Sequence, residues 1–179
     1  MLQKEQSNLP GVIFIIPKIF GDNRGFFYES FQLKKYQDIG IDKNFVQDNI
    51  SRSCKNTVRG LHYQKKFPQA KLVSVIRGEV LDVIVDIRPQ SPTFGQWVSR
   101  ILNDENHIQI FIPEGFAHGF CVLSETADFY YKCTDYYHPE DEQGIRVDDP
   151  DLNIDWGING NDMIISEKDR VHPYFRSLK

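Results

Sequence analysis

His62 in the segment Arg59-Gly-Leu-His-Tyr-Gln64, Lys71 a little further on, and the run Ser166-Glu-Lys-Asp169 near the end of the chain together supply an imidazole, an ammonium and a carboxylate. An imidazole titrates near neutrality, and a carboxylate on its second nitrogen fixes the tautomer and stabilises the charged ring, so such a set is suited to removing a proton. The residues alone do not pick which aspartate plays that part. A lone histidine in a strand also serves as a hydrogen-bonded core or rim residue, so at this point both roles stand.

The same residues fit a metal poorly. Metal sites in small β-barrels draw two ligands from one strand at i, i+2 spacing, because alternate residues share a face. Here His62 is followed by Gln64, and the other attractive donor, His118 in Pro113-Glu-Gly-Phe-Ala-His118, has no compact carboxylate partner beside it in sequence. Cys54, Cys121 and Cys133 are widely spaced and form no CxxC pair, so neither a zinc site nor a thioredoxin-like site is supported. They are expected to be reduced residues without a catalytic task. No glycine-rich phosphate fingerprint follows a strand and opens a helix. Arg24 and Arg59 could instead grip a diphosphate through bidentate hydrogen bonds, the alternative being a solvated or ion-paired rim.

Composition narrows the partners. The 179 residues carry 21 Lys and Arg against 25 Asp and Glu, a formal charge of -4. Nucleic acid is an unsuitable partner, because phosphate-backbone binding needs concentrated positive charge. A local anion site is still compatible, built from Arg24, Arg59, Lys71, Arg77 and Lys168. The N-terminal residues contain no apolar signal core and no stretch is long and apolar enough to span a bilayer, so a soluble cytoplasmic protein is expected, with no membrane partner.

Positioning these side chains falls to β-strands. Gly11 to Pro17 reads as a first strand, the turn around Gly21 to Gly25 leads to a second over Phe26 to Phe31, and Gln32 to Ile39, closed by Gly40, is a short helix. Phe45 to Ile50 and Val58 to Tyr63 follow as strands. Lys71 to Arg77 and Glu79 to Arg88 read as a hairpin turning at Arg77-Gly-Glu79. Within it Leu81, Val83, Val85 and Ile87 share one face and Asp82 and Asp86 the other, while Lys71 has the parity of Val73 and Val75 and points inward with them. Further strands run over Gln96 to Leu102, His107 to Pro113, Phe120 to Leu123 and Ala127 to Tyr136. In the last of these Phe129 and Tyr131 face one side and Tyr130 the other, and a tyrosine facing a cavity could act as an acid. The total is about ten short strands, and the polar tail after residue 137 carries Trp156, Ile158, Met163, Ile164 and Ile165 with which to fold back on the sheet. Little helix and regular turns argue for one all-β domain over residues 1–179, a jelly-roll sandwich or barrel with short peripheral helices.

The blocks Asp22-Asn-Arg-Gly-Phe-Phe-Tyr-Glu29, Gln47-Asp-Asn49, Val58 to Gln64, Gln69 to Val73, Arg77 to Val85, Pro89 to Gly95, Ile112 to Phe120 and Ser166 to Asp169 stand in one order along nearly the whole chain. In these blocks the sequence resembles the dTDP-4-dehydrorhamnose 3,5-epimerases, the RmlC-like metal-free cupins. The resemblance implies a cupin jelly roll, a homodimer, a dTDP-sugar substrate, and no cofactor or metal. It assigns His62 as catalytic base, Asp169 as the carboxylate that orients it, Lys71 as the lysine near the substrate's 4-keto oxygen and Tyr131 as proton donor. Arg59 and His118 fall on substrate-contacting positions. Arg24, Glu29, Gln47, Asn49, Glu142 and Lys168 match nucleotide-sugar-binding positions, with the Arg24 segment expected to reach the neighbouring subunit's site, and Tyr137 matches a ring beside the nucleotide base.

The implied reaction inverts C3 and C5 of dTDP-4-dehydro-6-deoxy-D-glucose to give dTDP-4-dehydro-L-rhamnose. The alternatives are inversion of C3 or C5 alone, another 4-keto nucleotide sugar, a 3,4-ketoisomerase of the same superfamily, or a sugar-binding cupin without catalysis. Two departures from the family pattern stand near the substrate mouth: the segment Gln64 to Ala70 is one residue shorter than expected, and Cys54 replaces a small polar residue.

Overall fold

The computed structural model describes residues 2–178. Its strands are β1 (Gln3–Gln6), β2 (Ile13–Ile16), β3 (Ile19–Asp22) and β4 (Gly25–Tyr28), followed by helix α1 (Leu33–Asp38). Then come β5 (Gln47–Cys54), β6 (Val58–Gln64), β7 (Lys71–Arg77), β8 (Glu79–Asp86) and β9 (Trp97–Asn103). The remainder is β10 (Gln109–Ile112), β11 (Phe116–Val122), β12 (Thr126–Cys133), β13 (Glu142–Gly144) and the single-turn helix α2 (Glu167–Arg170).

Two antiparallel sheets form the body, in the orders β1-β2-β10-β7-β12-β5 and β13-β6-β11-β8-β9, with β3 and β4 as a separate hairpin. Between the sheets lies a core of Val73, Val75, Val80, Ile84, Ile110, Phe116, Phe120 and Phe129. The outer face of the five-stranded sheet is covered by the folded-back tail, where Val83, Val85, Ala117 and Cys121 pack with Leu152, Trp156 and Phe175. The outer face of the other sheet lies under α1, with Ile15, Leu72 and Phe111 against Tyr36 and Ile41. Sheets buried on both faces need apolar residues at both parities, which is why β7 and β8 read as nearly unbroken apolar runs. The architecture is the all-β jelly-roll barrel with short helices at its edge.

Two local expectations are corrected. The segments Lys71–Arg77 and Glu79–Asp86 are strands, but they do not pair as a hairpin: β7 lies between β10 and β12 while β8 lies between β11 and β9. Gly78 instead carries the chain from one sheet to the other, with φ of +81° and so little room that a Cβ would fall 2.1 Å from the Thr126 carbonyl oxygen. A bare, left-handed residue serves a sheet corner as well as a hairpin turn, so the sequence signal is shared. Asp82 and Asp86 share a face opposite Val83 and Val85 as the alternation predicts, and that face is the barrel interior, where both carboxylates are fully buried. The second strand runs over Gly25–Tyr28 as half of the β3–β4 hairpin rather than on to Phe31. Two strands lacked any apolar signal: β1, Gln-Lys-Glu-Gln, is exposed along its length, and β13 has three residues.

Candidate active site

The lumen side chains of β6 and β11 depend on a bulge. His118 is paired with His62, yet Phe120 is paired with Arg59, so β6 carries one residue more than β11 across this interval. One extra residue reverses strand parity, which is how Arg59 and His62, of opposite parity, both reach the same cavity. The backbones approach so closely here that a Cβ on Gly60 would lie 2.5 Å from the Gly119 Cα, and one on Gly119 would lie 2.6 Å from the Arg59 carbonyl oxygen. Glycine is required on both strands, and Gly60 also has φ of +131°.

The cavity has a volume of about 640 Å³, in the range of small-molecule sites. Its wall includes Gln47, Asn49, Arg59, His62, Lys71, His118, Tyr131, Tyr137, Glu142, Lys168 and Asp169. Eleven of the thirteen sequence-predicted residues are therefore brought to one space. A second cavity of about 560 Å³ shares His62, Lys71 and His118 and extends to Arg88 and Glu114.

His62 Nε2 lies 2.6 Å from Asp169 Oδ1, across 107 positions of chain. The Asp169 side chain is only 5% exposed. Its placement comes from the tail: the Ile164 N–H donates to the Asn56 carbonyl and the Val58 N–H to the Ile164 carbonyl, clamping the tail to the start of β6. Ser166 then caps α2, its Oγ accepting from the Asp169 N–H at 3.1 Å. Burial pushes the Asp169 pKa up, but the hydrogen bond and charge of His62, with Ser166 and Gly60, outweigh it and hold the carboxyl below its ordinary range. The other ring nitrogen of His62, Nδ1, is 3.8 Å from Glu142 Oε1.

Lys71 and Tyr131 come from neighbouring strands, β7 and β12, with the Lys71 Nζ 6.0 Å from the Tyr131 ring centroid. Burial lowers the Lys71 pKa below its usual value, against the opposing pull of Cys133, Glu142 and Asp82. A buried ammonium that holds its proton less tightly is a better donor to a developing anion. Burial, with Cys133, raises the Tyr131 pKa despite the nearby charge of Arg59, so the phenol carries its proton at neutral pH. The alternation read from the sequence holds: Tyr131 packs with Phe129 against the inner core, while Tyr130 bonds Asp48 outside.

Around this centre is a polar rim. Glu142 Oε2 accepts from both Tyr137 OH and Lys168 Nζ. Burial raises the Glu142 pKa, and Lys168, Tyr137 and His62 more than reverse the shift. Gln47 Oε1 accepts from the Tyr137 backbone N–H at 2.9 Å, and Gln47 Nε2 donates to Asn49 Oδ1 at 3.0 Å. Arg59 Nε donates to Ser53 Oγ at 2.9 Å, and among the described residues its terminal guanidinium nitrogens make no hydrogen bond.

Arg24 and Glu29 are elsewhere in this chain. Arg24 sits at the tip of the β3–β4 hairpin with an 85% exposed side chain, paired with Asp22, and Glu29 bonds Lys35 at 2.8 Å.

Asp82 was missed as a site residue. Its Oδ2 is 2.8 Å from His118 Nε2, and the side chain is fully buried. The signal was present in β8, where Val80 and Ile84 share its parity: an aspartate between two apolar residues on one face is a buried acid in need of a partner. Cys133 was read as inert, and it lines the cavity; burial raises its pKa above the ordinary value, which keeps the thiol neutral. His62, Asp169 and His172 bring their donor atoms within 4.8 Å of one another, close enough to share a cation. The shortest separation among them is the 2.6 Å between His62 Nε2 and Asp169 Oδ1, a hydrogen-bonding distance.

A jelly-roll barrel with a carboxylate-backed histidine, a lysine and a tyrosine in its lumen defines a cupin-like β-barrel enzyme. Residues 6–177 match the family model described as dTDP-4-dehydrorhamnose 3,5-epimerase, and the chain belongs to that family. It is 51% identical over 166 residues to the dTDP-4-dehydrorhamnose 3,5-epimerase of Methanothermobacter thermautotrophicus, covering 92% of this chain and 90% of that one. Among solved structures it is similar to the dTDP-6-deoxy-D-glucose-3,5-epimerase of Legionella pneumophila in complex with dTDP-4-keto-L-rhamnose, at 54% identity and a TM-score of 0.96, covering 100% and 95% of the two chains. A 3'-monoepimerase from Streptomyces bikiniensis, solved with dTDP, is similar at 30% identity and a TM-score of 0.89, covering 96% and 87%.

Proposed function

We propose that this chain is a dTDP-4-dehydrorhamnose 3,5-epimerase, converting dTDP-4-dehydro-6-deoxy-D-glucose to dTDP-4-dehydro-L-rhamnose by proton abstraction at C3 and C5. The observation that carries the mechanism is the 2.6 Å hydrogen bond from His62 to a buried carboxylate in a cavity shared with Lys71 and Tyr131.

With Nε2–H donated to Asp169, His62 presents the Nδ1 lone pair as base. The C4 ketone acidifies the hydrogens at C3 and C5; His62 takes one, the C–H electrons move into the ring bond, and negative charge collects on the C4 oxygen. Asp169 stabilises the imidazolium that forms, and Lys71 donates to the enolate oxygen, a donor placed where charge develops. Tyr131 returns a proton to C5 from the opposite face and a solvent proton does the same at C3, which inverts each centre, and His62 and Tyr131 then re-equilibrate with solvent. Oxidation states do not change. Arg59, with its free guanidinium nitrogens, and Lys168 are the cations for the diphosphate, while Gln47, Asn49, Glu142 and the Tyr137 ring serve the nucleoside; His118, held by Asp82, contacts the sugar.

Arg24 and Glu29 belong to this reading through a second subunit. The β3–β4 hairpin leaves Phe20, Phe26 and Phe27 between 53% and 68% exposed, a surface suited to burial in a homodimer that carries Arg24 into the neighbouring cavity. Sedimentation of a species near 20.9 kDa at working concentration would sink the dimer. The reading also takes the chain as one domain and as cytoplasmic, which its three unpaired cysteines suit; among the described residues no helix is long and apolar enough to cross a membrane.

Incubating substrate in heavy water and following C3-H and C5-H by NMR tests the reaction. Both signals are expected to vanish as product forms. Loss of one alone makes the protein a single-centre epimerase, and loss of neither removes the enzymatic assignment.

A further inference from the structure

His172 is a mostly buried imidazole that the chemistry above leaves unused. Its side chain is 11% exposed, and its Nε2 is buried without a hydrogen-bond partner, a condition native folds avoid. That nitrogen lies 3.5 Å from Asp169 Oδ1, the same oxygen that His62 engages at 2.6 Å. The two rings meet edge to face with centroids 5.7 Å apart.

The place of the ring is prepared from the other side. Gly144 on β13 is the register partner of His62 on β6. A Cβ at Gly144 would lie 2.5 Å from both Cδ2 and Nε2 of His172, so the ring occupies space that any other residue there would take. The next residue is tethered as well, since the Arg146 N–H donates to the Pro173 carbonyl at 3.1 Å. A bare strand position and a pinned backbone thus aim one free ring nitrogen at the carboxylate behind His62.

We propose that His172 is a positioning residue for the base: its neutral ring directs Nε2–H to Asp169 Oδ1 and holds that carboxylate aligned on His62. The inference rests on His62 and Asp169 being the base and its partner. A carboxylate oxygen has two lone pairs and can accept from both imidazoles. The second donor keeps the proton of the pair on His62 rather than on Asp169 and shields the flank of the carboxylate from water. At 3.5 Å the contact is not yet a hydrogen bond in the resting protein, and in this proposal it closes as His62 becomes charged. Burial, followed by the nearby His62, lowers the His172 pKa, which makes the ring a neutral donor instead of a second cation competing for Asp169.

The test compares His172→Leu, His172→Gln, Gly144→Ala and the Gly144→Ala/His172→Leu double variant in steady-state epimerisation, with His62→Asn as control. Leucine is expected to lower kcat about tenfold or more with KM changed less than about twofold, the loss of one hydrogen bond to a charged group. Glutamine, whose amide nitrogen reaches the place of Nε2, is expected to restore kcat to within about threefold of the parent. Gly144→Ala, which displaces the ring without removing an ionisable group, should lower kcat in the parent and do little in the His172→Leu background; it also decides the matter if the leucine variant does not fold. Parental kcat in the leucine variant, equal losses for leucine and glutamine, or a change confined to KM would each overturn the role of His172. An active His62→Asn protein would instead overturn the base assignment itself.

Discussion

Replacing Asp169 by asparagine keeps the volume of the side chain and removes the charge behind His62. With Nε2 and Oδ1 2.6 Å apart, the centres of the delocalised imidazolium and carboxylate charges lie about 4 Å from one another, and at an effective dielectric constant of about 20 their attraction is about 4 kcal/mol. That attraction exists only once His62 holds the substrate proton, so it lowers the barrier rather than tightening the ground state. At about 1.4 kcal/mol per tenfold, Asp169→Asn should reduce kcat by about 10³. KM should move by only a few-fold, because the carboxylate is 5% exposed and committed to His62. The asparagine NH₂ can also donate to Nε2, which forces the proton onto Nδ1 and removes the lone pair that acts as base. The assay is NMR-monitored wash-in of deuterium at C3 and C5 at saturating substrate. Both centres should slow together, since one base serves both. A kcat within tenfold of the parent, or a loss carried by KM, would refute the reasoning.

Tyr131→Phe should retain deuterium exchange at C3 while losing inversion at C5, as read by product configuration; equal loss at both centres would remove Tyr131 as the selective donor. Lys71→Met should lower kcat by about 10² to 10³ while the melting temperature stays level or rises, because a buried ammonium is exchanged for an apolar chain of similar length; a destabilised but active protein would contradict this. Mixing Arg24→Ala chains with His62→Asn chains should restore activity neither has alone, since a mixed dimer holds one site with both residues intact, and no recovery would count against a crossing Arg24. For Asp86, burial raises the pKa, but hydrogen bonds from Arg88, Ser91 and Thr93 bring it to about 2, below the ordinary aspartate value of 3.8. The ionised form is therefore the stabilising one: its contribution is present above pH 4 and is lost as pH falls toward 2. Nearly two units correspond to about 2 kcal/mol, so Asp86→Asn should unfold in less denaturant at pH 7, with the gap narrowing below pH 4.

The residues near one another in sequence were the readable ones. Lys71 was placed inside by its parity with Val73 and Val75, and Tyr131 on the face of Phe129 by the same alternation, and both lie where a period of two puts them. Partners brought together over long separations left no such trace. Asp169 entered through resemblance alone, because nothing local shows that the tail is clamped to β6 through Ile164. The bulge that sends both Arg59 and His62 inward lies in the pairing of two strands, and no period within one strand reveals it. The β7–β8 turn was misread because Gly78 satisfies a corner and a hairpin alike, and the difference lies in the partners, β10 and β12 for β7 but β11 and β9 for β8, which come from further along the chain. In β8 the alternation separated two faces without saying which was inside, although Val80 and Ile84, at the parity of Asp82 and Asp86, mark that face as the interior.

The carboxylate behind His62 comes from α2, after every strand of both sheets has already been supplied. During synthesis from the N-terminus, the strands that carry His62, Lys71 and Tyr131 emerge long before Asp169 does. Until Asp169 has emerged, His62 stands without the carboxylate that lies 2.6 Å from it in the folded chain. A cut between Trp156 and Ser166 would separate that carboxylate from the strands while leaving the strands themselves uncut.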